Sequence, residues 1–343
     1  MTSLSSLLGA ESREVPAVLE RQEQLLVRQI ADLVATLRRR QPQVIVTCGR
    51  GSSAHAATFG KHLFERYLGL PVVAAAPVVA SVYHRSLNLR GQLLLAISQS
   101  GRSTDLIATA EMARSAGAIT AAIVNDTNSL LAQTCEFVLP MEAGPELSVA
   151  ASKTFVASLA ALLRLTAEWT DDGRMRQAIA RLPPRLSAAV ELDWSAALSR
   201  LSSAQSVITI GRGPTLAIAR EGALKLKEVC NIHAEAFSSA EFQHGPISLV
   251  GQTYPILVFA PTDAAAEGTE ALRVGLAAKG AEVFATGQPP DAENFLPTLQ
   301  PDQPEADAIC LIQTFYQLLP QIAARRGSDV DRPRHLQKVT STR

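Results

Sequence analysis

The sequence predicts an α/β protein built from two tandem copies of one unit, each a parallel sheet with helices on both faces. Apolar runs of strand length alternate with helical stretches, the pattern of a sheet buried on both sides. A Gly-rich turn follows the strand that opens each copy. Matching landmarks also recur at one offset: the GRG turns at Gly49 and Gly211 lie 162 residues apart, and Gly117 and Gly280, each closing a helical stretch, lie 163 apart. Two landmarks at one spacing argue for a duplicated domain.

The elements follow in order. Residues 1–40 form an N-terminal helical segment, mostly a helix over 17–40. The first copy, 41–170, opens with a strand at 44–48 (VIVTC), a turn at 49–53 (GRGSS) and a helix over 54–66. A second run, 93–97 (LLLAI), leads into the loop SQSGRS, a helix over 105–116 and a strand at 118–124. The stretch 171–204 is polar, carries Pro183 and Pro184, and is expected to hold two helical pieces that link the domains. The second copy, 205–343, repeats the order with strands at 207–210, 255–259 and 281–285.

Composition narrows the function classes. Lys plus Arg equals Asp plus Glu, 32 against 32, so no net field draws the chain to nucleic acid or an anionic membrane. Charged residues make up 19% and hydrophobic ones 47%, which excludes disorder and favours an oligomer with extra buried area. Cys48, Cys135, Cys230 and Cys310 form no CxxC pair, so neither a zinc site nor a disulfide framework is encoded. No signal-peptide pattern opens the chain, and no apolar run reaches the ~18 residues of a membrane span. A reduced, cytoplasmic protein is expected.

Two segments carry chemistry. Ser98, Gln99, Ser100 and Ser103 lie where a strand gives way to a helix, so hydroxyls and free helix N–H groups can surround a phosphate without lysine. The corresponding second-copy loop, Ala260-Pro261-Thr262-Asp263, is acidic and poor in donors, so one phosphate site per chain is expected. The turn from Gly49 to Ala54 formally fits the dinucleotide fingerprint GxGxxA, but the acid required about 20 residues on is missing. The second segment, EGALKLKEVCNIHAEAFSSAEFQHGP from Glu221 to Pro246, places Glu221, Lys225 and Glu228 on one helix face. His233, Glu235, Glu241 and His244 show no HExxH spacing, and no metal or organic cofactor is expected.

The SQSG loop, the LKLKE and HGP motifs, the duplicated unit and the ending DRPRHLQKVT together resemble the sugar isomerase (SIS) family. The double-SIS branch is the nearest in kind: the isomerase half of glucosamine-6-phosphate synthase and the type II glucosamine-6-phosphate deaminases. The resemblance implies that Ser98, Gln99, Ser100 and Ser103, with Ser52 or Ser53, hold a sugar phosphate. It implies that Val149 touches sugar hydroxyls through its backbone, while Ala151 stands where the synthases have Ser. Glu228 matches the proton carrier between C1 and C2. Lys225, Glu221 and Lys338 match groups that handle the O1 or C2 heteroatom. His244 matches the ring-opening histidine, which in the synthases comes from the neighbouring subunit, so a homodimer with shared sites is implied.

The chemistry asks for these residue types. Opening the ring of a 2-amino aldose phosphate suits a histidine titrating near neutrality. One carboxylate on a rigid helix can carry the C2 proton to C1, and a cation such as Lys225 steadies charge developing on oxygen. Thr2 follows Met1 and only about forty residues precede the first strand, so no glutaminase is expected. That favours deamination of glucosamine 6-phosphate to fructose 6-phosphate and ammonia. Alternatives are another aminosugar-phosphate isomerase, a fructosamine-phosphate deglycase and, outside the enzymes, a sugar-phosphate sensor.

Overall fold

The computed structural model describes residues 6–287 and 294–338. The chain divides into two compact units. A first-copy unit gathers 17–146 and 153–180 with Gln337 and Lys338; a second-copy unit gathers 6–16, 147–152 and the described residues of 181–336.

Along the chain, α1 (Leu7–Arg13) and α2 (Val15–Arg40) precede β1 (Ile45–Cys48), α3 (Ser52–Leu68), β2 (Val72–Ala74) and α4 (Val78–Ser81). Then come β3 (Leu93–Ser98), α5 (Thr104–Ser115), β4 (Ile119–Val124), α6 (Leu130–Thr134), β5 (Phe137–Pro140) and α7 (Lys153–Thr170). The five strands form a parallel sheet in the order β2-β1-β3-β4-β5. Every residue of β3 and β4 is buried, as a parallel sheet covered on both faces requires. Leu94, Ala96, Ala122 and Val124 face a layer that includes Leu106, Ala110 and Ala113 of α5.

After α8 (Gly173–Val190) and α9 (Leu198–Ser203), the second copy runs through β6 (Ser206–Gly211), α10 (Thr215–Cys230), β7 (His233–Ser238) and β8 (Pro255–Val258). It continues with α11 (Ala266–Ala278), β9 (Glu282–Thr286), β10 (Phe295–Leu296) and α12 (Pro304–Arg326). Its sheet, β10-β9-β8-β6-β7, is again all parallel. Read from the other edge, the strands follow the same order of appearance as in the first copy. The duplication inferred from the spacing of two glycine pairs is therefore a duplication of topology. In both sheets the order reverses beside the opening strand, which is where open α/β sheets take ligands.

The structure adds two local details to the sequence reading. The stretch 171–204 holds α8 and α9, and α8 runs through both Pro183 and Pro184. Burial of Met175, Ile179, Leu182, Leu186 and Ala189 on one stripe outweighs the missing donors. Within the N-terminal helical segment, α1 is a separate short helix: the Ser6 Oγ caps it locally by accepting the Gly9 N–H at 3.1 Å, and Leu7 and Leu8 donate backbone N–H groups to the Asp331 carboxylate at 2.8 and 2.9 Å.

All four cysteines are free and buried. Burial pushes the Cys48 thiol up to about 11, helped by the Asp105 charge, and pushes those of Cys135, Cys230 and Cys310 up to about 12. Native protein titrated at pH 8 with an aromatic disulfide reagent should therefore release almost no thiolate, and all four thiols should react once guanidinium unfolds it. A fast-reacting thiol in the native state would contradict this packing.

Candidate active site

In the first-copy unit, the phosphate-type loop joins β3 to α5, and the GRG turn joins β1 to α3. Because β1 and β3 pair in parallel, with Cys48 opposite Ala96, both turns emerge at the same end of neighbouring strands. Ser98 closes β3 and is buried; its Oγ accepts the Gly101 N–H at 3.1 Å. The Ser100 Oγ accepts from the Arg102 N–H at 3.3 Å. Gly101 has φ +61°, and a Cβ there would lie 2.0 Å from the Ser129 Oγ, so the tight turn admits only glycine. Ser103 stands at the N-cap of α5, while Ser52 and Ser53 begin α3.

Two basic residues near this loop are already engaged. The Arg50 Nε and Nη2 donate to Asp105 Oδ2 at 3.0 and 2.6 Å, and Arg102 pairs with Asp126 at 3.3 Å. Ser98, Ser100 and Ser103 bring their hydroxyls to the loop beside them. Neither ion pair was foreseen, since Arg50 and Asp105 lie 55 residues apart.

The second-copy loop is satisfied from within. The Thr262 Oγ1 donates to Asp307 Oδ2 at 2.7 Å, and the same carboxylate takes the Asp302 N–H and Arg185. Burial pushes the Asp307 carboxyl above the usual range, against the pull of these donors. The one hydroxyl of that loop is thus spent on an internal carboxylate.

The helical motif is built on α10. At the start of this helix the GRG turn is so tight that a Cβ on Gly211 would sit 2.2 Å from the Thr215 carbonyl oxygen. One face then presents Glu221, Lys225 and Glu228, as their spacing requires. Lys225 has no exposed surface; its Nζ donates to Glu228 Oε2 at 2.5 Å and lies 3.4 Å from Glu221 Oε1. Glu221 is fully buried and also accepts from the Tyr316 hydroxyl at 3.4 Å, whereas Glu228 keeps 22% of its side chain exposed. The cluster therefore has a closed end at Glu221 and an open end at Glu228. A carboxylate on a rigid helix, half in contact with a buried ammonium and half accessible, is suited to taking and returning a proton.

His244 is exposed, between the 3₁₀ turn Glu241–Gln243 and Gly245, and among the described residues its ring makes no hydrogen bond or ion pair. Among the described residues no hydrogen bond or ion pair joins it to Glu228 of the same unit. The Val149 N–H donates to the Asp331 carbonyl at 3.4 Å. Lys338 is held in the first-copy unit by Glu146, at 2.9 Å. Sequence reading missed Glu146, which lies outside every motif. Among the described residues no group of three or more His, Cys, Asp or Glu stands in a metal-holding arrangement, and no helix is long and apolar enough to cross a membrane.

The charge balance of the cluster can be tested by stability. Removing the buried ammonium by Lys225→Met leaves Glu221 in a low-dielectric setting and should lower the unfolding free energy by about 3–5 kcal/mol. Adding Glu221→Gln should restore part of the loss in urea denaturation. Equal stability of Lys225→Met and the wild type would mean the carboxylates are not sustained by the lysine.

With this geometry in place, three comparisons bear on the family. The SIS domain family model matches residues 40–167 and 200–287. The glutamine–fructose-6-phosphate aminotransferase (isomerizing) of Bradyrhizobium diazoefficiens is 34% identical over 312 residues, covering 86% of this chain and 51% of that protein. The chain thus spans about half the length of such curated relatives. Among solved structures, a Silicibacter pomeroyi protein assigned to the phosphosugar isomerases superposes with a TM-score of 0.90 at 40% identity, covering 95% of this chain and 100% of that one. The C-terminal domain of glucosamine-fructose-6-phosphate aminotransferase from Francisella tularensis gives 0.84 at 25% identity, covering 96% and 98%. The segments matched by the family model take in the first sheet, strands β6, β8 and β9 with β7 of the second, the serine-rich loop and α10: this chain belongs to the SIS domain family, as a double-SIS protein.

Proposed function

We propose that the protein is an aminosugar-phosphate isomerase that deaminates glucosamine 6-phosphate to fructose 6-phosphate and ammonia. The observation that carries the reading is the Glu221–Lys225–Glu228 cluster, a buried cation beside an accessible carboxylate. Its counterpart is a hydroxyl-lined loop whose nearby arginines are engaged elsewhere. The substrate's phosphate is assigned to Ser98, Gln99, Ser100 and Ser103 with Ser52 or Ser53, and the Val149 backbone to a sugar hydroxyl.

The reaction balances without a co-reactant other than water. His244 assists opening of the hemiacetal. Glu228 removes the C2 proton of the open-chain aminoaldehyde and returns it to C1, while Lys225 stabilises charge developing on O1. The product is a ketimine at C2. Water adds at that carbon, and ammonia departs with the proton that Lys338 helps to deliver, leaving fructose 6-phosphate. A cytoplasmic setting accords with four unpaired thiols.

Purified protein should release ammonia from glucosamine 6-phosphate, followed by glutamate dehydrogenase coupling, and Glu228→Gln should lose about 10²–10⁴ in kcat. Turnover of a fructosamine 6-phosphate with none of glucosamine 6-phosphate would replace this reading with a deglycase. Saturable binding of both without turnover would replace it with a sensor.

A homodimer with composite sites is part of the proposal, supported by the exposed and unengaged His244. Glu228→Gln and His244→Ala should each be nearly inactive. After subunit exchange half the dimers are mixed, and in each of those one site carries both defects and the other neither. Roughly a quarter of wild-type activity should return. No recovery despite exchange seen by native mass spectrometry would place both residues in one subunit's site.

A further inference from the structure

Glu146 occupies a position that no motif marks. It lies between the end of β5 and the start of α7, and its side chain has no exposed surface. Its Oε1 accepts the Thr154 N–H at 3.1 Å, and its Oε2 accepts the Thr154 hydroxyl at 2.8 Å and the Lys338 ammonium at 2.9 Å. Thr154 is in the first turn of α7, an 18-residue helix, so the carboxylate sits where a helix favours an anion. Its outer partner differs from the rest of this arrangement: the Lys338 side chain keeps 26% of its surface exposed.

The segment leading to Glu146 is tied to the serine-rich loop through one residue. Asn125, just beyond β4, donates its N–H to the Gln99 carbonyl at 3.2 Å. Its side-chain oxygen accepts the Ala143 N–H at 2.9 Å, and its amide donates to the Gly144 carbonyl at 2.8 Å. The serine-rich loop, Asn125, the 143–146 segment and Lys338 therefore form one hydrogen-bonded series within the first-copy unit. A lysine side chain carries about 2 kcal/mol of rotamer entropy. A buried carboxylate with three donors converging on it is a fixed point to which such a side chain can be moored.

We propose that Glu146 is a positioning residue that holds the Lys338 ammonium at a set distance from the phosphate loop, where it meets the C2 heteroatom of the bound sugar. The proposal rests on the phosphosugar reading above. It gives Glu146 a role through Lys338 and no contact with substrate. Glu146→Gln keeps the shape of the side chain and an acceptor for Thr154 but removes the charge that moors the lysine.

Two readouts separate this role from simple support of α7. In steady-state kinetics, Glu146→Gln should lower kcat about tenfold or more through misplacement of the lysine while KM for the sugar phosphate stays within about twofold. In the Lys338→Met background the same change should have no further effect on kcat. Independently of activity, acetylation of Lys338 by an N-hydroxysuccinimide ester, followed by peptide mass spectrometry, should run about fivefold faster in Glu146→Gln, as expected for breaking a part-exposed ion pair. Glu146→Asp, which retains the charge but draws it back by one methylene, should lie between the two and covers the case in which the Gln variant does not fold. An unchanged acetylation rate, or an equal loss of kcat with and without Lys338, overturns the proposal. A wild type that turns over no sugar phosphate while Lys338 is still unmasked by Glu146→Gln would overturn the functional reading and leave the mooring in place.

Discussion

A lysine ammonium with no contact with solvent must be neutralised where it stands, and much of the second-copy unit is arranged to do this for Lys225. The cation lies between Glu221 and Glu228, one carboxylate from the preceding turn of α10 and one from the following turn. An isolated charge in this setting would cost several kcal/mol, and a paired one only repays that cost if its geometry is well held. The geometry is held by the helix itself, whose i, i+4 and i+7 positions share a face. Its far end is held by Arg326, which donates to the carbonyls of Cys230 and Asn231 that close α10 and to those of Ser202 and Ala204. The result is asymmetric. Glu221 is sealed from solvent, and Glu228 is reachable.

The two copies show how a duplicated scaffold comes to carry different chemistry in each half. A parallel sheet with the strand order seen here always presents a crevice at the carboxyl ends of its strands. In the first copy this place is lined by Ser98, Ser100 and Ser103, with Arg50 and Arg102 drawn off to Asp105 and Asp126. In the second copy Thr262 is taken by Asp307, which also holds Arg185. Donor groups are retained at one crevice and consumed at the other. The charged cluster of the second copy lies on α10, the helix that follows its opening strand.

Carboxylates that cap distant segments recur through the molecule. Glu11 accepts from the Leu147 and Ser148 N–H groups, and Asp331 accepts from those of Leu7 and Leu8. Each is a charged acceptor meeting backbone donors that would otherwise be orphaned at a loop or a helix start. Such contacts explain why 147–152 and the start of the chain are grouped with the second-copy unit although they lie far from it in sequence.

Periodicity and spacing were enough to read the α/β class, the strands 93–97 and 118–124, the duplication and the single helix face of Glu221, Lys225 and Glu228. These features depend on neighbours within a few residues or on an exact internal repeat, both of which a linear string displays. Hydroxyl density likewise marked the serine-rich loop. What the tertiary structure alone decided is which polar groups meet across long separations. Arg50 finds Asp105, Asp307 closes the second loop, and Glu146 receives Lys338 from 192 residues away. It also decided that α8 continues through Pro183 and Pro184, since burial of its apolar stripe outweighs two missing hydrogen bonds. Local pattern determines which face of an element is apolar or charged. Pairing between charges is settled only when the chain has closed loops of fifty to two hundred residues, and no local preference encodes that closure.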